Sequence, residues 1–313
     1  MTEQSSGTLL KCYIKTMAQN SLQEKDEVNP LNIDLVISGG AFNGAYAYGV
    51  VLYLLELVEQ KKMVIHNVSG CSIGAVVALC TVCNNLDPVF LKSWCNIKND
   101  FRDNQKLTYI KPFITECVNA CIKDEDDISK IQNRLFITKT DMNSGEHIVK
   151  STWSSKTELE EDLISSSFLP YLVDGSSRYK NQYVDGIHPH IFKNADRKCM
   201  YIDLQSHYNN RWIKSIFTAS EKNPDQRVLE GLQECSKFLN DEHSYLCSWV
   251  HKWNIWGYAV IRLQFIIAYT FLVVVEYINA INLPDRIKTN RLYKGIIDTL
   301  IKLIHDSFYL GQY

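Results

Sequence analysis

No charge of one sign dominates this chain. Its 313 residues carry 33 Lys+Arg against 35 Asp+Glu, a formal net charge of -2. It lacks the global basicity of a dedicated nucleic-acid binder, and no nucleic-acid partner is expected. Glycine is not abundant either: 14 residues exclude a collagen-like array. With 46% hydrophobic and 22% charged residues, neither disorder nor a coiled coil suits the composition. Internal repeats and low-complexity tracts are missing. The first twenty residues contain no charged region followed by an apolar stretch, so no cleaved secretory signal is visible. An intracellular setting is therefore expected, with the ten cysteines reduced. A zinc site would need two cysteine clusters of compatible geometry. The nearest pairs are Cys80/Cys83 and Cys117/Cys121. The first of these lies in the apolar run AVVALCTVC, where i,i+3 spacing suits one buried helix face.

Residues 1–30 are polar and end at Pro30, which reads as a mobile leader with room for one short element. LNIDLVISGG follows as a β-rich run broken by two glycines, then AYAYGVVLYLLELVEQKK with helical apolar spacing. MVIHNVSG is a second short β-type run, and SIGAVVALCTVC an apolar helix. Strand, glycine loop and helix, twice within about fifty residues, predict βαβ units and a parallel sheet buried on both faces. Residues 84–130 read as helices covering that sheet plus a solvated acidic loop at Asp124, Glu125, Asp126 and Asp127. NRLFITKTD is a strand candidate with a turn at Asn143-Ser144-Gly145. Ser151 to Ser167 reads as a short strand and then a helix. Tyr183-Val184-Asp185-Gly186 reads as a strand ending in an Asp-Gly turn, and RKCMYIDLQS as one more strand.

Ile255 to Val275 is a 21-residue run with one charge, Arg262, and one amide, Gln264. Its twelve Ile, Leu, Val and Phe residues offset the cost of an off-centre arginine only to about the insertion threshold. Trp249, Trp253 and Trp256 sit at one end, where an interface belt belongs. The segment is read as membrane-contacting. A single span across about 255–275 and a buried or interfacial helix both remain open.

Two motifs carry chemistry. Ser38-Gly39-Gly40-Ala41-Phe42-Asn43-Gly44 is a glycine-rich turn between a strand and a helix. Such a turn cradles a phosphate at a helix N-terminus or aims amides at an oxyanion. The dinucleotide spacing and the P-loop Lys-Ser/Thr are both absent, which counts against a nucleotide site. Gly70-Cys71-Ser72-Ile73-Gly74 is a G-x-S-x-G at a strand-to-helix junction. A nucleophile on so sharp a turn needs small neighbours two residues away on each side, and the helix dipole at Ser72 favours developing negative charge. A serine nucleophile needs a base. His188, His190, His207, His243, His251 and His305 all follow Asp185, and none is marked by its context. The alternative is direct proton transfer to a carboxylate, and Asp185, ahead of Gly186 at the end of a β-type run, fits that role.

The ordered blocks LVISGGAFNGAYAYGVVLYLLE, VSGCSIGA, TDMNSGE, SSSFLPYL and YVDG resemble the patatin-like phospholipases over about residues 31–205. The resemblance implies a three-layer α/β fold, a mostly parallel central sheet between helices, here with an apolar helical C-terminal extension. It implies a lipid acyl hydrolase acting on carboxylic esters, without metal or cofactor. Ser72 would be the nucleophile, Asp185 with Gly186 the base and its turn, and Gly39, Gly40 and Ala41 the oxyanion-hole amides. Gly70, Cys71, Ile73 and Gly74 would form the elbow around Ser72. The implied organisation is a polar leader (1–30), a catalytic domain (31–205) and a helical region (206–313) that is membrane-associated or spanning. Lipid substrate and a membrane surface are the implied partners, and oligomeric state stays open. Departures fall at Ala41, where the family carries glycine, at Asn43, where it carries Arg or Lys, and at Ile187, where Gly or Ala is common. If Ala41 needs positive φ, it costs on the order of 1–2 kcal/mol. A lipid acyltransferase using the same pair and a catalytically degenerate lipid-binding or scaffolding protein are the rivals.

Overall fold

The computed structural model describes residues 3–21, 29–86, 89–104, 106–194, 196–204, 224–241 and 243–256, with positions 258, 259, 263, 266 and 270. The leader holds more than a short element. Helix α1 (Glu3–Asn20) runs for five turns and buries Ile14 and Ala18, an i,i+4 pair that gives it one apolar face.

The next elements alternate as the sequence predicts: β1 (Leu31–Ile37), α2 (Gly44–Glu59), β2 (Met63–Gly70) and α3 (Ile73–Val82). Ile33, Leu35, Val36 and Ile37 of β1 are fully buried, as a strand covered on both faces requires. Helix α2 is apolar on nearly every side because it too is enclosed. With the turn before it, Ala41–Glu59 is the one described helix long and apolar enough to cross a membrane, and here it is a core helix. Helices α4 (Val89–Asn104), α5 (Ile110–Cys121) and α6 (Glu125–Ile131) follow. The acidic patch is not a loop. Asp124 caps α6, its carboxylate accepting from the Asp127 amide, and Glu125, Asp126 and Asp127 fill the first turn, where the helix dipole favours acid.

Strands β3 (Leu135–Asp141) and β4 (His147–Lys150) form a hairpin whose turn residue Gly145 has φ 73°. The short strand expected after Ser151 thus lies just before it. Helix α7 (Lys156–Ser166), β5 (Tyr183–Val184) and β6 (Lys198–Ile202) come next. The sheet order is β4-β3-β2-β1-β6, with β1, β2, β3 and β6 parallel and β5 pairing antiparallel with β3. This is the mostly parallel, helix-flanked patatin-like α/β fold.

The core does not stop at residue 205. Helix α8 (Asp225–Asp241) packs on α2, and β7 (Cys247–Trp249) adds an antiparallel edge strand to β6. The α2–α8 crossing is close because glycines face backbone on both sides. A Cβ on Gly49 would sit 2.0 Å from the Val228 carbonyl oxygen, and one on Gly231 would sit 2.2 Å from that of Tyr46. Most of the 255–275 run lies outside the described residues. Of those described, Ile255 and Trp256 are 79% and 74% exposed.

Cys80 and Cys121 approach to 4.0 Å between sulfurs on facing helices α3 and α5. Burial and neighbouring thiols raise the pKa values of Cys80, Cys83 and Cys121, so these thiols stay protonated. Among the described residues no group of three or more ligand-type side chains is arranged for a metal ion.

Candidate active site

The predicted site residues converge at the carboxyl ends of the parallel strands, where open α/β sheets place their ligands. Strand β2 ends at Gly70, and Ser72 turns the chain into α3 with φ 53° and ψ −134°, a left-handed conformation unusual for serine. The flanking glycines are fixed by contact. A Cβ at Gly70 would lie 2.3 Å from the Gly74 carbonyl oxygen, and one at Gly74 would lie 2.5 Å from that of Ser38. The elbow is therefore wedged against the loop that leaves β1.

Asp185 reaches the same point from β5. It is 6% exposed, its carboxylate accepts a hydrogen bond from the Ile187 amide at 2.8 Å, and the Ser72 hydroxyl lies beside it. Burial pushes its pKa up from 3.8 to about 6, against the opposing pull of those two groups. The residue in left-handed conformation is Ile187, φ 57°, rather than Gly186. Gly186 is needed for another reason: a Cβ there would meet the Thr138 carbonyl oxygen at 2.2 Å. The histidines considered as bases sit elsewhere. His190 stacks on Phe136, and the His188 ring lies edge-on to that of His147 at 6.0 Å. Positions 207 and 305 lie outside the described residues.

The glycine loop divides its three amides. Gly39 N–H donates to Cys71 Sγ at 3.0 Å, so Cys71 holds the loop and Gly39 is committed. The amides of Gly40 and Ala41 donate to no other described group. Ala41 has φ 42°, so the strain foreseen for a non-glycine residue applies. The turn is closed by the Asn43 amide donating to Gly40 O at 2.8 Å. Burial and the Asp185 charge raise the Cys71 pKa well above its usual value, which keeps that thiol neutral beside the carboxylate.

Sequence reasoning assigned no role to Ser166, the last residue of α7. Its carbonyl accepts from both Ser72 N–H and Gly186 N–H at 3.1 Å, and its hydroxyl also accepts from Ser72 N–H at 3.0 Å. One residue thus ties the turn of Ser72 to the turn of Asp185. Thr140 Oγ1 fixes Asp185 further by donating to its carbonyl at 3.0 Å. Both residues lie in or beside blocks visible in the sequence, SSSF and TKTD, but nothing in their spacing marks the contacts.

Ser72 and Ala41 help line an apolar groove. Trp94, Phe101 and Phe113 from α4 and α5, with Ile73, Leu169 and Leu172, form its walls. A serine hydroxyl beside a buried carboxylate, two uncommitted amides and an apolar lining are the parts that acyl transfer from an ester with a hydrocarbon tail requires.

A family profile described as patatin-like phospholipase matches residues 35–187. An omega-hydroxyceramide transacylase of Homo sapiens is 26% identical over 141 residues, 42% of this chain and 26% of that protein. The omega-hydroxyceramide transacylase of Mus musculus is 28% identical over 159 residues, 48% of this chain and 26% of that protein. A 1-acylglycerol-3-phosphate O-acyltransferase of Mus musculus, Pnpla3, is 28% identical over 162 residues, 49% of this chain and 38% of that protein. The chain therefore spans between 26% and 38% of the length of these curated relatives.

Proposed function

Residues 35–187 belong to the patatin-like phospholipase family, and from that premise we propose that this protein is a lipid acyl hydrolase working through Ser72 and Asp185. Ser72 Oγ attacks the carbonyl carbon of a lipid ester while Asp185 accepts its proton. The amides of Gly40 and Ala41 receive the oxyanion. One such donor is typically worth ~3–4 kcal/mol. The alcohol leaves with a proton returned from Asp185, and an acyl-enzyme remains on Ser72. Asp185 then takes a proton from water, which releases the fatty acid. A base near pH 6 is better matched to proton transfer at neutral pH than an ordinary aspartate. The acyl tail lies along the Trp94–Phe113 groove. The observation that carries this reading is the convergence of Ser72, on its strained turn beside that groove, with the buried Asp185, whose pKa burial raises.

The reading is tested with long-chain ester substrates in vesicles. Ser72→Ala and Asp185→Asn each abolish hydrolysis while the purified proteins stay folded. Wild-type activity in either variant rules the pair out. A fluorophosphonate probe labels Ser72 in the intact protein, and an unlabelled serine identifies a degenerate lipid-binding protein instead.

A second reading is supported by the relatives' names, two transacylases and one acyltransferase. The same acyl-enzyme passes its acyl group to a lipid hydroxyl rather than to water. Product analysis with an added acceptor lipid separates the two, since transfer forms new ester at the expense of free fatty acid. The exposed Ile255, Trp256, Leu263 and Ile266 support a seat on a lipid surface, which co-sedimentation of the full chain with vesicles measures.

A further inference from the structure

Arg227 lies in α8, beyond the matched family region and beyond the last strand of the predicted catalytic domain, yet its guanidinium ends at the glycine loop. Arg227 is 5% exposed. Its Nη1 donates to the Phe42 carbonyl at 3.1 Å and to Asn43 Oδ1 at 2.8 Å, and the guanidinium lies over the Tyr46 ring at 5.2 Å. Asn43 in turn donates through Nδ2 to the Leu204 carbonyl at 2.8 Å. The loop is thereby tied to the chain just after β6.

The hydrogen bonds run in series. Arg227 donates to the carbonyl of the Phe42–Asn43 peptide. The N–H of that peptide donates to Gly40 O at 2.8 Å. That carbonyl belongs to the Gly40–Ala41 peptide, whose N–H is one of the two uncommitted amides. A donor on a carbonyl polarises the peptide it belongs to, and each link strengthens the next. A buried cation thus heads a relay of two peptide groups ending on the amide of Ala41, which lines the same groove as Ser72. The reciprocal glycine contacts of α2 and α8, at Gly49 and Gly231, fix the height at which Arg227 meets the loop.

Resting on the acyl-transfer reading above, we propose that Arg227 is a positioning residue for the oxyanion amides: it clamps the 39–43 loop and polarises the Ala41 N–H. The loop carries a strained Ala41, so it needs an outside tether to hold one geometry. Asn43 serves as the receptor for that tether.

Three variants and the wild type decide the matter. Arg227→Gln keeps a donor but removes the charge. Arg227→Lys keeps the charge but lacks the planar fork. Gly231→Ala keeps the Arg227 side chain but displaces the helix that carries it. Folding is checked by thermal unfolding. Complete removal of an oxyanion donor costs about 10²–10³ in kcat, so a weakened donor is expected to cost about tenfold to a hundredfold in Arg227→Gln. KM should stay within about twofold, and the acid limb of the pH profile, set by Asp185, should not move. Arg227→Lys and Gly231→Ala fall between Arg227→Gln and wild type. The rate of fluorophosphonate labelling at Ser72 follows kcat. Folded Arg227→Gln with wild-type kcat, a loss confined to KM, or a displaced acid limb would each overturn the proposal. If Arg227→Gln does not fold, the same criteria are applied to Arg227→Lys. Hydrogen exchange at the Asn43 amide supplies a readout independent of activity: it accelerates at least about tenfold in Arg227→Gln or Arg227→Lys if the clamp is real, and unchanged exchange refutes it. A wild type that fails to label at Ser72 defeats the acyl-transfer reading alone, and hydrogen exchange then still judges the clamp.

Discussion

Replacing Asp185 with asparagine is expected to stabilise this protein while inactivating it. The carboxyl sits buried, with its pKa raised from 3.8 to about 6. Between these values the folded protein holds a proton that the unfolded chain has released. Stability therefore falls as pH rises from about 4 to about 6, and it stays lower above that window. At 1.36 kcal/mol per pH unit, the ionised carboxylate costs about 3 kcal/mol at neutral pH. Asparagine has the same shape, can still accept from the Ile187 amide, and can donate to Ser72 Oγ, but it never ionises. Urea unfolding of wild type and Asp185→Asn, measured from pH 4 to 8, should give near-equal stabilities at the acid end. The difference should then grow to about 3 kcal/mol in favour of asparagine by pH 7. A gain that is the same at pH 4.5 and pH 7, or no gain at pH 7, refutes the view that desolvation of this carboxylate sets its pKa.

In the proposed mechanism the same group sets the rate. Catalytic efficiency in ester hydrolysis should fall with unit slope below about pH 6, to roughly a tenth of its plateau at pH 5; a flat profile down to pH 4.5 would remove Asp185 as the base. Ala41→Gly relieves a left-handed alanine worth about 1–2 kcal/mol and gives back about 0.4–1 kcal/mol in unfolded-chain freedom, so a net gain of up to about 1.5 kcal/mol is expected in urea. Asp162→Asn strips the charge that faces buried Lys139 at 2.5 Å and leaves that cation uncompensated, at a cost of about 3–5 kcal/mol. Adding Lys139→Met should recover part of the loss, and a double-mutant cycle in urea measures how much.

Much of the site was legible because its parts are punctuated locally. β1, α2, β2 and α3 each end at glycine or polar breaks, and a shift from β-type to helical spacing is visible without neighbours. The elbow at Gly70–Gly74 is readable as a five-residue pattern, although only Gly70 is held small from within it, while Gly74 is held small by the Ser38 carbonyl. What escaped depends on partners distant in the chain. Arg227 sits in an amphipathic helix whose letters suit any solvent-facing helix, and only the approach of α8 to α2 turns it toward the loop. β7 is three residues long at an edge and carries no period to read. The commitment of Gly39 to a thiol follows from the side chain of Cys71, which the motif treats as a variable position. At 186–187 the pattern suggested that glycine makes the turn, whereas isoleucine takes the strained conformation and glycine clears a carbonyl.

Ser166 has a mechanical consequence. The turns bearing Ser72 and Asp185 arise from different strands, and each donates an amide to the same carbonyl at the end of α7. Any rocking of that helix moves both turns together, like two lamps hung from one hook, so the gap between Ser72 and Asp185 is insulated from breathing of the scaffold. Rotation of that single peptide plane is the motion that would open it.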